Sequence, residues 1–390
     1  MSLQRTLKMG MVGGGPGAFI GEVHRKAARM DGGIELVGGA FDINPRKSKQ
    51  MAKELYLDRK RCYGDYEEMI EKELKLPVGE RMDFITICTP NNWHFPIAKA
   101  CLEAGFHVMC EKPMTLTAKE ARDLAKIVKK TRRVFGLMHN YTGYPMVKLA
   151  RDMVKGGEIG KVRKIVVQYP QGWLATAIEK TGQKQAAWRT DPKQSGASGC
   201  GGDIGTHAEN LAEYITGLKM THLCAELTSF VKGRKLDDDV NCFVKYNNGA
   251  RGVLHASQVS VGEENNLAIW VYGETGGLEW HQEHPNYLHV TPMGQPTQVW
   301  KRGNDYVAAA SNAAARATRL PAGHPEAFLE AFANNYLNFA DTIRGKLTRT
   351  KVDLIVKDFP DVQDGLRGML FLDTLVASAK SKQKWTKFKK

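Results

Sequence analysis

Short apolar runs alternate with amphipathic stretches along the first 140 residues of the chain. The apolar runs are typical of buried β-strands, and the stretches between them carry apolar residues at the 3.6-residue period of an α-helix. We predict strands at residues 7–12, 34–41, 83–88, 106–110 and 134–138, and helices at residues 20–30, 48–55, 66–74, 95–104 and 118–130. This alternation indicates an α/β domain with a doubly wound parallel sheet.

The pattern changes after residue 140. A long irregular stretch, residues 170–202, is rich in Gly, Gln, Ser and Thr, and a loop of this length in a compact domain is more often functional than idle. Around it we predict helices over 146–155, 203–216, 325–344 and 360–380, and strands over 164–169, 227–231, 240–246, 251–258, 267–272 and 277–281. The hairpin signal Asn247-Asn248-Gly249 indicates that neighbouring strands pair antiparallel.

These patterns predict two domains, and 390 residues are enough for two hydrophobic cores. Residues 1–140 are expected to form a Rossmann-type α/β domain. Residues 141–390 are expected to form an α+β domain with a large, mainly antiparallel sheet, whose closing helices are able to pack back on the first domain.

A glycine-rich turn lies between the first predicted strand and the first helix. Gly13, Gly15 and Ala18 match the spacing G-x-G-x-x-A. In this fingerprint the first glycine permits a tight turn, the second lets the backbone approach a pyrophosphate, and the small third residue lets helix and strand pack closely. The helix N-terminus then supplies N–H donors for the phosphates. The turn predicts a dinucleotide site, although the doubled glycine and Pro16 depart from its commonest form.

An acidic residue, Asp42, ends the second predicted strand. A carboxylate at this position suits hydrogen bonds to the adenosine ribose and would repel a 2′-phosphate, so it favours NAD over NADP. Arg46 follows closely and keeps NADP open as a less favoured alternative. Alternatively, Asp42 simply opens a turn with Asn44-Pro45.

Two polar clusters are candidates for chemistry. Glu111-Lys112-Pro113 follows the strand at 106–110, at the sheet edge where ligands collect, unless it is only a solvated Glu-Lys pair before a turn. Asp203 and His207 are spaced so that the acid caps the predicted helix and the imidazole lies one turn later on the same face. Such a pair suits proton removal during the oxidation of a secondary alcohol; the alternative is a helix cap beside a packed histidine.

Composition narrows the class of protein. The charged and hydrophobic fractions, 25% and 42%, are ordinary for a soluble globular protein. No apolar run reaches the length of a membrane span, and the N-terminal residues do not resemble a signal peptide. Seven cysteines without a C-x-x-C pair fit reduced thiols better than a disulfide framework. We therefore expect a cytoplasmic protein with no membrane partner.

The net charge of +14 does not by itself indicate nucleic-acid binding. Six lysines lie within residues 380–390, and such a run is usually a solvated tail. No helix-turn-helix, RNA-binding or zinc-finger pattern is present, so no nucleic-acid partner is expected. His94, His107 and His139 lack the spacing of a zinc site, and a G-x-S-x-G elbow is absent, so neither a metal site nor a serine hydrolase is predicted.

Taken together, these motifs resemble the Gfo/Idh/MocA family (glucose–fructose oxidoreductase, inositol dehydrogenase, rhizopine catabolism protein). The resemblance rests on the loop 13–18, Asp42, the run from Cys88 and Thr89 to His94, Glu111-Lys112-Pro113 and Gly202-Asp203-x-x-x-His207, and it spans essentially the whole chain. It implies that Lys112, Asp203 and His207 are the catalytic set, with His207 as general acid/base. It also implies that Pro90, Asn91, His94 and Glu111 line the nicotinamide and its ribose, and that Asn140 and Tyr141 lie near nicotinamide and substrate.

Trp188-Arg189 in the irregular stretch is similar to a Trp-Arg pair of the sugar-oxidising branch of this family. An aromatic face stacks on a pyranose, and a guanidinium can bond hydroxyls or an acid. The alternative is a buried Trp with an Arg stacked on it.

The hypothesis from the sequence is an NAD(H)-dependent dehydrogenase acting on a secondary hydroxyl of a pyranose, glycoside or cyclitol. Two alternatives remain open: a redox-assisted glycosidase with tightly bound NAD, and a non-catalytic sugar- or dinucleotide-sensing regulatory protein. The family resemblance and an antiparallel sheet with one uncovered apolar face favour a homodimer or homotetramer.

Overall fold

The structure of the protein is a computed structural model that describes residues 5–388. Its strands are β1 Leu7–Gly13, β2 Ile34–Ala40, β3 Phe84–Cys88, β4 His107–Cys110, β5 Phe135–Leu137, β6 Lys164–Pro170, β7 Met220–Thr228, β8 Asp239–Tyr246, β9 Arg251–Ser257, β10 Ala268–Tyr272, β11 Gly276–His281, β12 Tyr287–Pro292, β13 Gln298–Lys301 and β14 Thr386–Lys387. Its α-helices are α1 Phe19–Arg29, α2 Pro45–Glu54, α3 Tyr66–Leu74, α4 His94–Glu103, α5 Ala118–Thr131, α6 Pro145–Gly156, α7 Lys184–Arg189, α8 Pro192–Ser195, α9 Thr206–Thr216, α10 Asp305–Ala310, α11 Asn312–Arg316, α12 Phe328–Thr348 and α13 Val362–Lys380.

The chain divides into two compact units. The first contains the described part of Met1–Thr115 together with Lys119–Asn140 and Phe328–Leu366. The second contains Leu116–Ala118, Tyr141–Ala327 and the described part of Arg367–Lys390. The first unit gives way to the second after Asn140, and the segment around α12 belongs to the first unit, whereas the sequence predicted one continuous domain over 141–390.

The first unit is a parallel α/β sheet. Among the described residues its strand order is β2-β1-β3-β4-β5, and every pair is parallel. The chain leaves β1 toward β2 and returns on the other side of β1 at β3, so the strand order reverses between β1 and β3. Ligands of such sheets collect at the carboxyl ends of the strands beside this reversal. The predicted α/β fold of this half is confirmed.

Helix α12 completes the core of the first unit. Its inward face carries the aromatic residues Phe332, Tyr336 and Phe339, which are almost fully buried. Phe339 packs edge-on against Phe84 of β3, with ring centroids 5.3 Å apart. This aromatic face is buried against α1 and the sheet. The burial of apolar surface therefore holds α12, a late segment of the chain, in the unit formed mainly by residues 5–140.

The second unit is built on a large sheet. In the part of the chain that the structure describes, its order is β13-β12-β11-β10-β6-β9-β8-β7-β14, and β6–β9 is its parallel pair. Helices α6 and α9 pack on one face, which carries the buried residues Ile165, Val167 and Leu254. The prediction of a large, mainly antiparallel sheet is confirmed. Strands β12 and β13 were not predicted, and the strand expected at 227–231 is β7, which ends at Thr228.

The lysine-rich C-terminal stretch differs from the expected solvated tail. Thr386 and Lys387 pair with β7, and Phe388 is buried. The guanidinium of Arg367 lies 3.6 Å from the centre of the Phe388 ring, and the Lys245 ammonium lies 4.1 Å from the centre of the ring of Trp385. The prediction was wrong because Trp385 and Phe388 interrupt the lysine run. The stabilisation from packing these two rings against Lys245 and Arg367 outweighs the preference of the neighbouring lysines for water.

Candidate active site

The glycine-rich turn after β1 runs close to the ends of its neighbouring strands. Gly13 has a positive φ of 80°, and a Cβ at this position would lie 2.7 Å from the carbonyl oxygen of Cys88. A Cβ on Gly15 would lie 2.5 Å from the carbonyl oxygen of Phe41. Only glycine satisfies both positions, which is what the dinucleotide fingerprint requires. Pro16 lies exposed at the tip of this turn.

The close approach between turn and helix is made by Gly21 rather than by Ala18. A Cβ on Gly21 would lie only 2.3 Å from the Cα of Gly14, whereas Ala18 is the half-buried residue that precedes α1. Residues 16–18 therefore lengthen the turn beyond the usual spacing. Arg25 holds it from the helix side, because its Nη1 donates to the carbonyl oxygen of Gly14 at 2.6 Å. Sequence reasoning missed both Gly21 and Arg25.

Asp42 follows β2 and makes the turn that was considered as its alternative role. Its Oδ1 accepts a hydrogen bond from the backbone N–H of Asn44 at 2.9 Å. Among the described residues its Oδ2 has no hydrogen-bond partner in the protein, so the turn does not prevent a ribose contact. Beyond it lies a surface depression of about 610 Å³ lined by Ile43, Asn44, Pro45 and Arg46.

The loop after β3 is held in place by His94. Its Nδ1 lies 2.7 Å from the carbonyl oxygen of Pro113 and its Nε2 lies 3.0 Å from that of Thr89. Burial lowers the pKa of His94, although the two carbonyls raise it in part. His94 therefore ties the loop after β3 to the loop after β4. Asn91 and Pro90 belong to the short 3₁₀ turn and cap that precede α4.

Several features of the first unit fit a bound dinucleotide. The first turn of α1 has no side-chain cap, which leaves its N–H groups available to a phosphate. The Oγ1 of Thr89 and the Nδ2 of Asn140 are buried without a hydrogen-bond partner within residues 5–388. Buried polar atoms are rarely left unsatisfied, so these two suit a ligand that supplies the missing partners.

Glu111 and Lys112 follow β4 as predicted, but Glu111 is not a solvated residue. Its Oε1 lies 2.9 Å from Nε2 of His24, and its Oε2 accepts the backbone N–H of Lys112 at 3.0 Å. Burial raises the pKa of Glu111, but the hydrogen bonds from His24 and the Lys112 backbone, together with nearby positive charge including that of Lys112, outweigh burial, so the pKa is lowered overall. Glu111 is therefore a buried carboxylate with both oxygens hydrogen-bonded, and one of them holds the backbone of Lys112.

In the second unit, Asp203 does not cap a helix. It lies inside a π-helical turn, Gly201–Gly205, that runs directly into α9. Its Oδ2 accepts hydrogen bonds from Nε of Arg189 at 3.1 Å and from Nε2 of Gln258 at 2.9 Å. The capping prediction was wrong because the helical run already begins before Asp203, and Asp237 accepts the backbone N–H groups of Gly199 and Gly201 at its start.

His207 lies in the first turn of α9 beside a group of phenols and an amide. Its ring centroid is 4.7 Å from that of Tyr141, in an edge-to-face arrangement. The hydroxyls of Tyr141 and Tyr169 are hydrogen-bonded to each other, and Asn265 bonds both: its Nδ2 donates to Tyr141 and its Oδ1 accepts from Tyr169 at 2.6 Å. Burial raises the pKa of Tyr169 well above its ordinary value. Tyr169, Gln258 and Asn265 were missed, because they come from segments far apart in the chain.

Arg189 stacks on Trp188, as the alternative for this pair predicts, but Trp188 is half-buried rather than buried. The Arg189 guanidinium lies 4.2 Å from the centre of a ring of Trp188 and 5.9 Å from that of Trp173. Since the same guanidinium bonds Asp203, the Trp-Arg pair orients that carboxylate. No group of three or more His, Cys, Asp or Glu side chains within residues 5–388 is arranged to hold a metal ion.

The first unit thus has the fold and loop chemistry of a dinucleotide-binding domain, and the second unit carries an acid, an imidazole and hydrogen-bonded phenols on and around one helix. Residues 7–139 match the family model described as "Oxidoreductase family, NAD-binding Rossmann fold", and residues 147–279 match the Gfo/Idh/MocA C-terminal domain. The chain belongs to the Gfo/Idh/MocA family of oxidoreductases, and the predicted NAD-binding Rossmann domain is confirmed.

Relatives match almost the whole chain. The uncharacterized oxidoreductase YfiI of Bacillus subtilis is 34% identical over 99% of this chain and 98% of its own length. A crystal structure of an inositol dehydrogenase homologue from Azotobacter vinelandii, complexed with NADH and myo-inositol, is 35% identical, with a TM-score of 0.90 over 99% of this chain and 98% of that one. Levoglucosan dehydrogenase of Pseudarthrobacter phenanthrenivorans is 26% identical over 73% of this chain and 76% of its own. Within residues 5–388, no helix combines the length and apolar character needed to cross a bilayer.

Proposed function

We propose that this protein is an NAD(H)-dependent dehydrogenase that oxidises a secondary hydroxyl of a neutral pyranose, glycoside or cyclitol, or reduces the corresponding ketone. The observation that supports the proposal most directly is the group formed by Asp203, His207 and Tyr141 on and beside one helical segment. Together with an NAD-binding unit, this group has the acid–base side chains that alcohol oxidation needs.

The charges around Asp203 favour a neutral substrate. Arg189 is engaged by Asp203 and by both oxygens of Gln185, and Tyr169 and Asn265 are uncharged hydrogen-bonding groups. Amides and phenols suit hydroxyls, whereas phosphates are usually bound by available cations. The relatives that bind myo-inositol or are named for levoglucosan support a neutral polyol or anhydrosugar.

Each catalytic residue has a proposed role. His207 accepts the hydroxyl proton, because an imidazole exchanges protons near neutral pH. Lys112 donates a hydrogen bond to the reacting oxygen and assists the proton transfer, and Asp203 orients substrate and His207. When bound, NAD⁺ supplies the hydride acceptor. Tyr141, Trp188 and Arg189 complete the proposed substrate set, with Trp188 and Arg189 acting through Asp203.

The proposed cofactor set follows the loops of the first unit. It comprises Gly13, Gly15, Pro16, Ala18, Asp42, Thr89, Pro90, Asn91, His94, Glu111, Lys112 and Asn140. Asp42 disfavours a 2′-phosphate, which supports NAD over NADP. His94 and Glu111 bond protein groups, so they contribute by holding the loops that approach the cofactor.

The test is NADH formation, followed by absorbance, on a panel of neutral polyols beside their phosphorylated counterparts. Turnover of one or more neutral compounds is expected, with little on the phosphates. Lys112→Ala and His207→Ala should each lower kcat by at least about 100-fold with NAD⁺ binding retained. Exposed residues of the same types provide the matched controls, Lys119→Ala and His284→Ala, which should retain wild-type activity.

Three results would contradict this proposal. Wild-type activity in both catalytic variants would remove Lys112 and His207 from the chemistry. Glycoside cleavage without net NADH would favour the redox-assisted glycosidase. Cofactor binding without turnover of any compound would favour a sensing role.

We also propose that a second copy of this chain covers the open face of the large sheet. Cys224, Phe243, Val253, Val166 and Trp270 are aligned in register across β7, β8, β9, β6 and β10. All are at least partly exposed, and Phe243 is 59% exposed. An apolar row of this length is typical of a subunit interface. Phe243→Glu should convert a dimer or tetramer to smaller species in light scattering, whereas Phe230→Glu, at an exposed loop position, should not; a wild-type monomer would contradict the proposal.

A further inference from the structure

A buried chain of hydrogen bonds crosses the first unit beneath Lys112. Glu111 Oε1 lies 2.9 Å from Nε2 of His24, and Nδ1 of His24 lies 2.6 Å from the hydroxyl of Tyr336. That hydroxyl lies 3.0 Å from Oγ1 of Thr86. His24 and Thr86 have no exposed surface, and Tyr336 is only 1% exposed. The chain links α1, α12, β3 and the loop after β4.

Every assignment of protons that satisfies this network has Nε2 of His24 donating to Glu111. The Glu111 carboxylate can only accept, so Nε2 of His24 carries a proton. Burial raises the pKa of Tyr336 well above its ordinary value, so the phenol keeps its proton. Its hydroxyl lies within hydrogen-bond distance of both Nδ1 of His24 and Oγ1 of Thr86. Both ring nitrogens of His24 therefore have a partner, which fixes the orientation of the imidazole with Nε2–H toward Glu111.

The series of hydrogen bonds ends at the backbone N–H of Lys112. The second oxygen of Glu111 accepts the Lys112 N–H at 3.0 Å, so both carboxylate oxygens are occupied. A buried carboxylate is costly unless it is hydrogen-bonded, and losing one donor leaves that cost uncompensated. His24 therefore supports both the charge and the position of Glu111.

We propose that His24 is a positioning residue for Lys112: by donating Nε2–H to Glu111, it holds the backbone turn from which the Lys112 side chain extends. This inference rests on the proposed role of Lys112. His24 lies on α1, the helix that begins at the glycine-rich turn. Helix α1 therefore has two proposed roles. The N–H groups of its first turn bind the cofactor phosphates, and its His24 side chain holds Glu111, which bonds the backbone of Lys112.

Other titratable groups of the first unit act on Glu111 without competing for this role. They are Cys88, Cys110, His94, His139 and Tyr336. Burial raises the pKa of both thiols and of the phenol, and it lowers the pKa of both imidazoles, that of His139 to about 3. All five are therefore uncharged near neutral pH, and Lys112 is the permanent charge beside Glu111.

Two substitutions of His24 separate positioning from packing. In His24→Gln the amide nitrogen reaches the position of Nε2 and still donates to Glu111, whereas in His24→Asn the amide reaches only the position of Nδ1. His24→Asn should lower kcat by about 100-fold, with the KM for NAD⁺ changed less than about threefold. In this variant the acid limb of the kcat–pH profile should move to higher pH, because Glu111 without the His24 donor takes up a proton more readily. His24→Gln should restore most of kcat and the wild-type pH profile.

A readout independent of turnover is the titration of Glu111 in the cofactor-free protein. Carboxyl ¹³C NMR of protein labelled at glutamate Cδ follows it, and Glu111→Gln assigns its resonance. The Glu111 midpoint should rise in His24→Asn and stay near the wild-type value in His24→Gln. If the wild type oxidises no polyol, the proposed function fails, and this titration still decides the His24–Glu111 link.

A double-mutant cycle tests whether His24 acts through Glu111. Adding His24→Asn to Glu111→Gln should lower kcat no further than Glu111→Gln alone. Wild-type kcat and pH profile in His24→Asn, additive losses in the double variant, or an unmoved Glu111 titration would each overturn the proposal. If His24→Asn does not fold, Tyr336→Phe takes its place, since it removes the hydroxyl that bonds Nδ1 and holds the imidazole toward Glu111. An unchanged titration and pH profile in that variant would overturn the proposal equally.

Discussion

Asp237 accepts a hydrogen bond from the backbone N–H of Gly201 at 2.8 Å. The same carboxylate accepts the N–H of Gly199 at 2.9 Å and the hydroxyl of Ser198 at 3.0 Å. Desolvation raises the pKa of Asp237, although these hydrogen bonds lower it in part. A residue before β8 thus anchors the start of the turn that carries Asp203.

Asp237→Ala should therefore affect both stability and catalysis. Loss of three hydrogen bonds at about 1 kcal/mol each should lower the free energy of unfolding by about 2–4 kcal/mol. kcat should fall as well, because the turn carrying Asp203 loses its anchor. Urea unfolding and the NADH assay measure the two effects. The matched control is Asp191→Ala, which removes a half-buried cap bonded to the N–H of Lys193 and to the Gln194 amide and should cost less than about 1 kcal/mol. Equal losses in both variants would contradict the anchoring role.

Gly21→Ala tests the contact between α1 and the glycine-rich turn. Its Cβ would lie 2.3 Å from the Cα of Gly14, so the turn must move. We expect a loss of about 1–3 kcal/mol in the free energy of unfolding and weaker NAD⁺ binding by calorimetry. Gly368→Ala, in α13 with nothing within 4 Å of its added Cβ, should be neutral or stabilising. Wild-type NAD⁺ affinity in Gly21→Ala would show that the close approach does not matter for binding.

His107 makes the free energy of unfolding depend on pH. Its Nδ1 accepts the backbone N–H of Val134 at 2.7 Å, and burial, assisted by the charges of Arg133 and Lys346, lowers its pKa to about 3. The unfolded chain takes up this proton near the ordinary value of 6.5, whereas the folded protein does not until about pH 3. The contribution of His107 to stability is therefore full above pH 6.5 and is lost as the pH falls toward 3.

In His107→Asn the side-chain oxygen replaces Nδ1 as acceptor and does not titrate. Between pH 6 and 4 its free energy of unfolding should depend on pH less steeply than that of the wild type, by about 1.4 kcal/mol per pH unit. Urea unfolding across this range measures the difference. His284→Asn, at an exposed position, should keep the wild-type slope. Parallel slopes for wild type and His107→Asn would mean that His107 titrates in the folded protein.

Arg189→Lys tests the stacked guanidinium. A lysine keeps the charge but loses the planar contact with Trp188 and the directed Nε–H to Asp203, so the two are not equivalent here. We expect kcat/KM for the sugar to fall at least about tenfold with NAD⁺ affinity unchanged. Arg163→Lys, at the exposed pair with Glu274, is the control and should have no effect. Unchanged kinetics in Arg189→Lys would leave the guanidinium no role in orienting Asp203.

The features that local patterns encode were predictable from the sequence. Strand β1, the glycine turn and α1 follow one another within a short stretch, and apolar periodicity indicates each of them. Glu111 and Lys112 were placed at the end of β4 because an apolar run and a proline bracket them. The turn made by Asp42 and the stacking of Arg189 on Trp188 were foreseen only as alternatives, since sequence spacing does not show which partner a side chain takes.

Features that depend on distant segments were not predictable. Ala18 was assigned the close helix contact because the spacing rule does not allow for a lengthened turn, and Gly21 makes that contact. Asp203 looked like a helix cap because Asp237, which bonds the preceding N–H groups, is remote in sequence. Asn265 likewise joins Tyr141 to Tyr169 from a loop far along the chain.

Strand β14 has a practical consequence for work with this protein. It pairs with His222 and Leu223 at the outer edge of β7, where unpaired backbone groups would invite pairing with another chain. Shortening the chain before Trp385 would expose that edge and the pocket filled by Phe388, so such a variant should precipitate on expression even with both units otherwise intact.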